Sequence, residues 1–151
     1  MDYIEFLEEQ EGALEIDIYG DPDTYLEQIN SFSAKVRHLI ALHFCIGEIL
    51  NGGFLQLFCN STGIVAPEAL IAFDAIGQPK AKALLEVAMA KLGPNYPRNR
   101  ETRIEIFKDT YLLDGKDPSP FGELDSEFYG FGEYGRDTWE WLDEYASAGT
   151  Q

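Results

Sequence analysis

Few residues in this chain are of the types that usually do acid–base, thiol or metal chemistry. His38 and His43 are its only histidines, and Cys45 and Cys59 its only cysteines. The histidines stand five apart, so they do not share a helix face as ligands at i and i+4 do, and no His-Glu-x-x-His pattern occurs. The two cysteines do not have zinc-finger spacing. His43 and Cys45, two apart on a helix, diverge. A reactive thiolate also needs a positive setting, and this chain is strongly acidic. Both cysteines are therefore expected to be free thiols packed among apolar side chains. Asp17, Asp21, Asp23 and Glu27 miss the ligand positions of a calcium loop. Gly52-Gly53 has no following lysine to make a phosphate loop. The expectation is no metal and no cofactor.

Glu48 is the exception, because it interrupts an apolar run just before Asn51 and the paired glycines. A carboxylate held among apolar groups must find donors or take up a proton. One reading makes it the acid or base of a small hydrolase, working with His38 or His43. The plainer reading makes it a structural acceptor for the backbone N–H groups of a bend at Asn51–Phe54. No second catalytic group is evident, which favours the plainer reading.

Charge is the strongest signal. The chain has 151 residues, 45% of them apolar, which is enough to build one core, and a formal charge of −16. Its isoelectric point is about 4.3. Such a chain repels nucleic acids, anionic membranes and phosphate ligands and attracts basic partners. Residues 1–34 hold ten acids and no Lys or Arg, and residues 109–151 hold eleven acids against Lys116 and Arg136. The stretch between them is nearly balanced. An acidic N-terminus and the lack of an 18-residue apolar run without charge predict a cytoplasmic protein with no membrane span.

The elements that must carry these residues read as helices throughout. A short acidic helix over 2–11 ends at Gly12. Asp21 caps a second helix that has Pro22 in its first turn. Ser33 caps a long helix to residue 50, apolar nearly all round and hence buried, which Asn51-Gly52-Gly53 ends with left-handed residues. Phe54, Leu57 and Phe58 then enter the core. Pro67-Glu68 opens a helix with Leu70, Ile71 and Phe73 inward. Pro79 opens its antiparallel partner, striped by Ala81, Leu84, Leu85, Ala88, Met89 and Leu92. Further helices are expected over 100–112 (Ile104, Phe107, Tyr111), over 124–129, and from an Asp137 cap onward, with Trp139, Leu142 and Tyr145 inward. A loop is expected at 114–120. The spacing predicts a single all-α domain over 1–151.

The middle of the chain resembles a family of small acidic bacterial proteins, the DMP-type DNA mimics, first catalogued as a domain of unknown function. Its signature is similar to Glu-x-x-Asn-Gly-Gly-Phe-x-Gln-x-Phe-x-Asn-Ser-x-Gly. Glu48, Asn51, Gly52, Gly53, Phe54, Gln56, Phe58, Asn60, Ser61 and Gly63 match it. Pro67–Leu70, Ile76-Gly77, Leu124-Asp125 and Phe128-Tyr129 extend the likeness, which covers roughly residues 35–146. The resemblance implies a dimeric, non-enzymatic protein that occupies the DNA-binding surface of a basic partner, such as a helix-turn-helix regulator. Duplex DNA carries about one charge per 1.7 Å, so sixteen charges equal about 27 Å of duplex. A domain of this length spans about 40 Å, so the total charge suits a short duplex.

The expected contacts are Glu5, Glu8, Glu9, Glu11, Glu15 and Asp17 at one end, and Glu133, Asp137, Glu140, Asp143 and Glu144 at the other. The same acids would serve an immunity or antitoxin-like protein that covers a basic toxin. Phe121, Phe128, Tyr129, Phe131, Tyr134, Trp139 and Trp141 form an aromatic tail, expected to pack within the chain more than between two copies.

Overall fold

Every described element of the computed structural model is helical. The description covers residues 2–108 and 119–149. In chain order the helices are α1 (Tyr3–Glu8), α2 (Pro22–Asn30), α3 (Ala34–Cys59), α4 (Ala66–Ala75), α5 (Pro79–Ala90), α6 (Arg100–Phe107), α7 (Gly122–Tyr129) and α8 (Asp137–Ser147). Short 3₁₀ turns lie at Ala13–Glu15, Ser61–Val65 and Glu133–Gly135. Tyr111 and residues 114–118 of the loop expected at 114–120 lie outside the described residues.

Helix starts follow local chemistry. The Asp2 carboxylate accepts from Glu5 N at 2.8 Å, Ser33 Oγ from Val36 N at 3.4 Å, and Asn99 Oδ1 from Thr102 N at 3.1 Å. Each satisfies an N–H that the helix cannot. Two expected caps are corrected. Asp21 stands at the N-cap of α2 but makes no capping bond, because Pro22 already fixes the first turn. Asp137 is the first residue of α8 and not its cap; Arg136 takes that place.

The long helix does not end where expected. α3 runs through Asn51-Gly52-Gly53 and bends there, with only Gly53 left-handed, at φ 79° and ψ −177°. Gly52 has φ −156°. The bend aims Phe54, Leu57 and Phe58 inward, and all three are fully buried. Leu39, Ile40, Leu42 and Ile46 are buried on the straight part. α3 is long and apolar enough to cross a membrane by length and composition alone, but half of its apolar window is buried within this fold. Each buried Leu, Ile or Phe is worth about 1.5–3 kcal/mol, so this helix is the main source of packing energy.

α4, α6, α7, α8 and α1 all pack against α3. α4 and α5 are joined by three residues and pack on each other as a helical hairpin. Gly77 in the connection has φ 79°. The expected stripe of α5 holds: Ala81, Leu84, Leu85 and Ala88 are buried, as is Leu92 just beyond it. On α4, Ile71 is 61% exposed, and Ala69 and Ala72 take the inward positions beside Phe73. Small alanines allow the hairpin to approach α3 closely.

The aromatic tail packs inside the chain. Phe54 meets Phe121 and Phe128 with ring centroids 6.2 and 5.8 Å apart, and Phe131 meets Trp141 edge-on at 4.9 Å. Tyr134 differs: it is 75% exposed and stands at φ 53°.

Candidate functional site

The family motif folds into two connected pieces. At the first, the bend in α3 is completed by α7. Asp125 Oδ1 accepts from Phe54 N at 2.8 Å, and Tyr129 donates its hydroxyl to the Ile49 carbonyl at 3.0 Å. This corrects the role expected of Glu48: the backbone of the bend is satisfied by Asp125. Burial raises the Asp125 carboxyl above the usual range, partly offset by the Phe54 N–H. Gly53 is required twice, for its left-handed φ and for space, since a Cβ there would stand 2.5 Å from the Asp125 carboxylate. Asn51 is exposed on the outside of the bend.

At the second piece, Glu48 Oε2 accepts from Gln56 Nε2 at 2.8 Å and from Asn60 Nδ2 at 3.0 Å. Three motif residues thus form one polar knot across the bend. The hydrolase arrangement does not assemble. His43 Nδ1 is 2.9 Å from the Tyr3 hydroxyl, and His38 Nδ1 is 2.8 Å from the Tyr145 hydroxyl. Neither imidazole hydrogen-bonds to Glu48. Burial lowers both imidazoles below their ordinary value, with Arg37 adding to the effect at His38.

Cys45 and Cys59 are free thiols. Burial pushes both up, and Glu48 pushes Cys45 further, so neither is activated. Among the described residues no cluster of His, Cys, Asp and Glu could hold a metal ion.

The motif is locked from below by three arginines that the sequence did not single out. Arg103 is fully buried. Its Nε donates to the Phe58 carbonyl at 2.8 Å, its second nitrogen to Pro97 and Arg98, and its third to Asn60 at 2.8 Å. Arg100 Nε donates to the Cys59 carbonyl at 2.8 Å. These cations satisfy carbonyls that the end of α3 leaves free. Burial lowers the Arg103 guanidinium despite those bonds. Arg98 forms a two-pronged pair with Glu68, both bonds 2.7 Å, and Tyr25 donates its hydroxyl to the same carboxylate. A Cβ on Gly63 would meet the Leu57 carbonyl at 2.6 Å and Arg103 at 2.8 Å, which explains the last glycine of the motif.

Six of the acids at the two ends, Glu5, Glu8, Asp137, Glu140, Asp143 and Glu144, lie on α1 and α8, which pack together. Tyr3 N donates to Asp143 Oδ1 at 2.9 Å, and the Tyr3 ring stacks on Trp139 at 5.9 Å. Lys35 reaches the same place, donating to the Ala148 carbonyl at 3.0 Å and lying over the Phe6 ring at 5.2 Å.

Of the eleven sequence-derived acids, Glu5, Glu8, Glu9, Glu11, Glu15, Glu133, Asp137, Glu140 and Glu144 are exposed. Asp17 and Asp143 are half-buried and hold backbone: Asp17 accepts from Tyr19 N and Gly20 N, and Asp143 from Tyr3 N. Among the described residues none of the eleven forms an ion pair. Asp2, Asp143 and Glu144 line one shallow cleft between the two helices.

No curated protein and no solved structure matches the chain. A family model does, over residues 30–148, which takes in the kinked helix, its arginine lock, α7 and α8. The chain belongs to the DMP19-like protein family.

Proposed function

We propose that this protein is a non-enzymatic DNA mimic. In this reading its exposed carboxylates occupy the DNA-binding surface of a basic partner, such as a helix-turn-helix regulator. The observation that carries the reading is the packing of α1 against α8. In this reading the packed pair presents the acids of the chain's start and of its end to one partner. Family membership supports a binding role over catalysis.

The contacts are carboxylates of residues 5–17 and 133–144, led by Glu5, Glu8, Glu140 and Glu144. Asp143 contributes by fixing α1 to α8. Tyr134, exposed between Glu133 and Gly135, offers an aromatic surface beside these acids. A dimer, the form the family resemblance implies, would double this surface.

The test takes a partner captured from lysate at low salt and then purified. Its affinity is measured at about 50 and about 200 mM salt, with and without duplex DNA. The expected result is a loss of at least about tenfold across that range, because exposed charge pairs are screened, together with competition by DNA. Binding that is indifferent to salt overturns the mechanism. Steep salt dependence without DNA competition points to a basic partner of another kind, such as a toxin.

A further inference from the structure

The polar knot of the family motif opens onto a cleft. Glu48, Asn60, Ser61, Thr62, Arg100 and Tyr19 line a space of about 220 Å³. Three of these, Tyr19, Ser61 and Arg100, also line an adjoining space of about 410 Å³, which Asp21 and Glu101 border.

Three features set this cleft apart from ordinary surface relief. The first is an unused carboxylate oxygen. Both amide bonds to Glu48 fall on Oε2, and Oε1 has no donor among the described residues. The second is an opposite charge that does not pair with it. Arg100 shares the cleft wall, yet it spends Nε on the Cys59 carbonyl and forms no ion pair with Glu48. The third is Thr62. Its residue is 8% exposed, and its hydroxyl is the one buried side-chain polar atom among the described residues with no hydrogen-bond partner. Buried polar groups are nearly always satisfied, so an orphan in a cleft wall calls for an explanation.

A carboxylate and a guanidinium on the walls of one cleft, unpaired across it, suit a molecule that carries both complementary charges. We infer that this cleft binds a free α-amino acid with a basic side chain. The ligand's ammonium group donates to Glu48 Oε1. Its carboxylate accepts from the guanidinium nitrogens of Arg100 that face away from Cys59, where a planar fork gives strong paired bonds. The Thr62 hydroxyl, buried behind this wall, becomes a further contact only where the ligand displaces the wall. The side chain extends into the adjoining space, where Asp21 and Glu101 favour a positive end. The amides of Gln56 and Asn60 hold the Glu48 carboxylate in place, which gives these motif positions a use beyond the bend. This site is separate from the carboxylates of α1 and α8, so it does not depend on the DNA-mimic reading.

The test is calorimetric titration of the full chain with L-arginine and L-lysine, with L-alanine, L-glutamate and argininamide as comparisons. The expected result is saturable one-to-one binding of the basic amino acids. L-glutamate and argininamide should bind at least about tenfold more weakly, each having lost one charge complement. Arg100→Gln, at an exposed position, should weaken L-arginine by a similar factor, with its fold checked by circular dichroism because the Cys59 carbonyl loses a donor. Glu48→Gln is the second variant, with its fold checked by circular dichroism. No saturable binding of any amino acid overturns the proposal. Equal binding of argininamide overturns the role of Arg100 and leaves only a cation site. Equal binding of L-glutamate overturns the side-chain preference.

Discussion

At residue scale the best-determined position is Gly53. Its φ of 79° lies where an L side chain is strained, and Asp125 fills the space a Cβ would need. Gly53→Ala is expected to cost about 1–3 kcal/mol from its positive-φ extended backbone alone, and more because Asp125 must move off the Phe54 N–H. Gly52→Ala keeps an ordinary φ and displaces Gln56, at the cost of its bond to Glu48 alone, so it should cost less than Gly53→Ala. Denaturant midpoints of the two variants check the order; equal losses would show that the positive φ of Gly53 carries no cost of its own.

This contrast also marks what the sequence could reveal. Paired glycines after an apolar helix announce a change of direction. They do not say which of the two is left-handed, nor that the helix resumes beyond them. Asp125 and Glu48 are both carboxylates beside the motif in the fold, but only one is near it in sequence, and the distant one serves the bend. Arg103 was illegible for a related reason. An arginine in a polar helix reads as surface, and only the assembled carbonyls of Phe58, Pro97, Arg98 and Asn60 make burial of its charge tolerable.

At the scale of elements, the attachment of α1 carries the function proposed here. α1 has six residues and would not persist alone in water. It is held by Tyr3 and Leu7 in the core and by the polar contacts of Tyr3 to Asp143 and His43. The sign of the pH effect follows from burial. The His43 imidazole is held below its ordinary value of 6.5, so the unfolded chain takes up that proton more readily than the folded one. Its contribution to stability is present above about pH 6.5 and is lost as pH falls through the folded value.

The Tyr3 hydroxyl is the polar partner of the His43 Nδ1, and burial, with the charge of Asp143 adding to it, holds that tyrosine neutral. Denaturation of wild type and His43→Gln at pH 7.5 and 5.5 isolates the effect, because protonation of surface acids is common to both. Wild type should lose stability relative to the variant at the lower pH. A constant difference would mean that His43 titrates alike in both states. Helix existence, the inward faces of α3 and α5, and the pairing of the neighbouring helices α4 and α5 were legible from the sequence; the contact of α1 with α8 was not, because it joins residues 140 apart.

At the scale of the whole molecule, charge segregation was plain from the sequence, with nine of the eleven bases lying within residues 35–108. The fold adds that several of those bases are spent inward. Arg98, Arg100 and Arg103 face carbonyls or Glu68 and do not neutralise the acids of α1 and α8. A net charge of −16 then acts against the compact state by self-repulsion. Added salt should relieve it: between about 0.1 and 1 M the screening length shortens from about 10 to about 3 Å, and the thermal midpoint should rise by several degrees. A midpoint that falls with salt would show that attractive pairs dominate this surface.

The bend in α3 has one more consequence, for the order in which the molecule can be made. Phe54 and the Asp125 that holds its N–H are 71 residues apart, and Ile49 and its Tyr129 donor are 80 apart. A chain emerging from the ribosome, N-terminal end first, exposes the longest helix well before either partner exists. Its straight half can pack as it appears. The half beyond the glycines gains its last bonds only after α7 has been synthesised, so the signature of the family is written early and completed late.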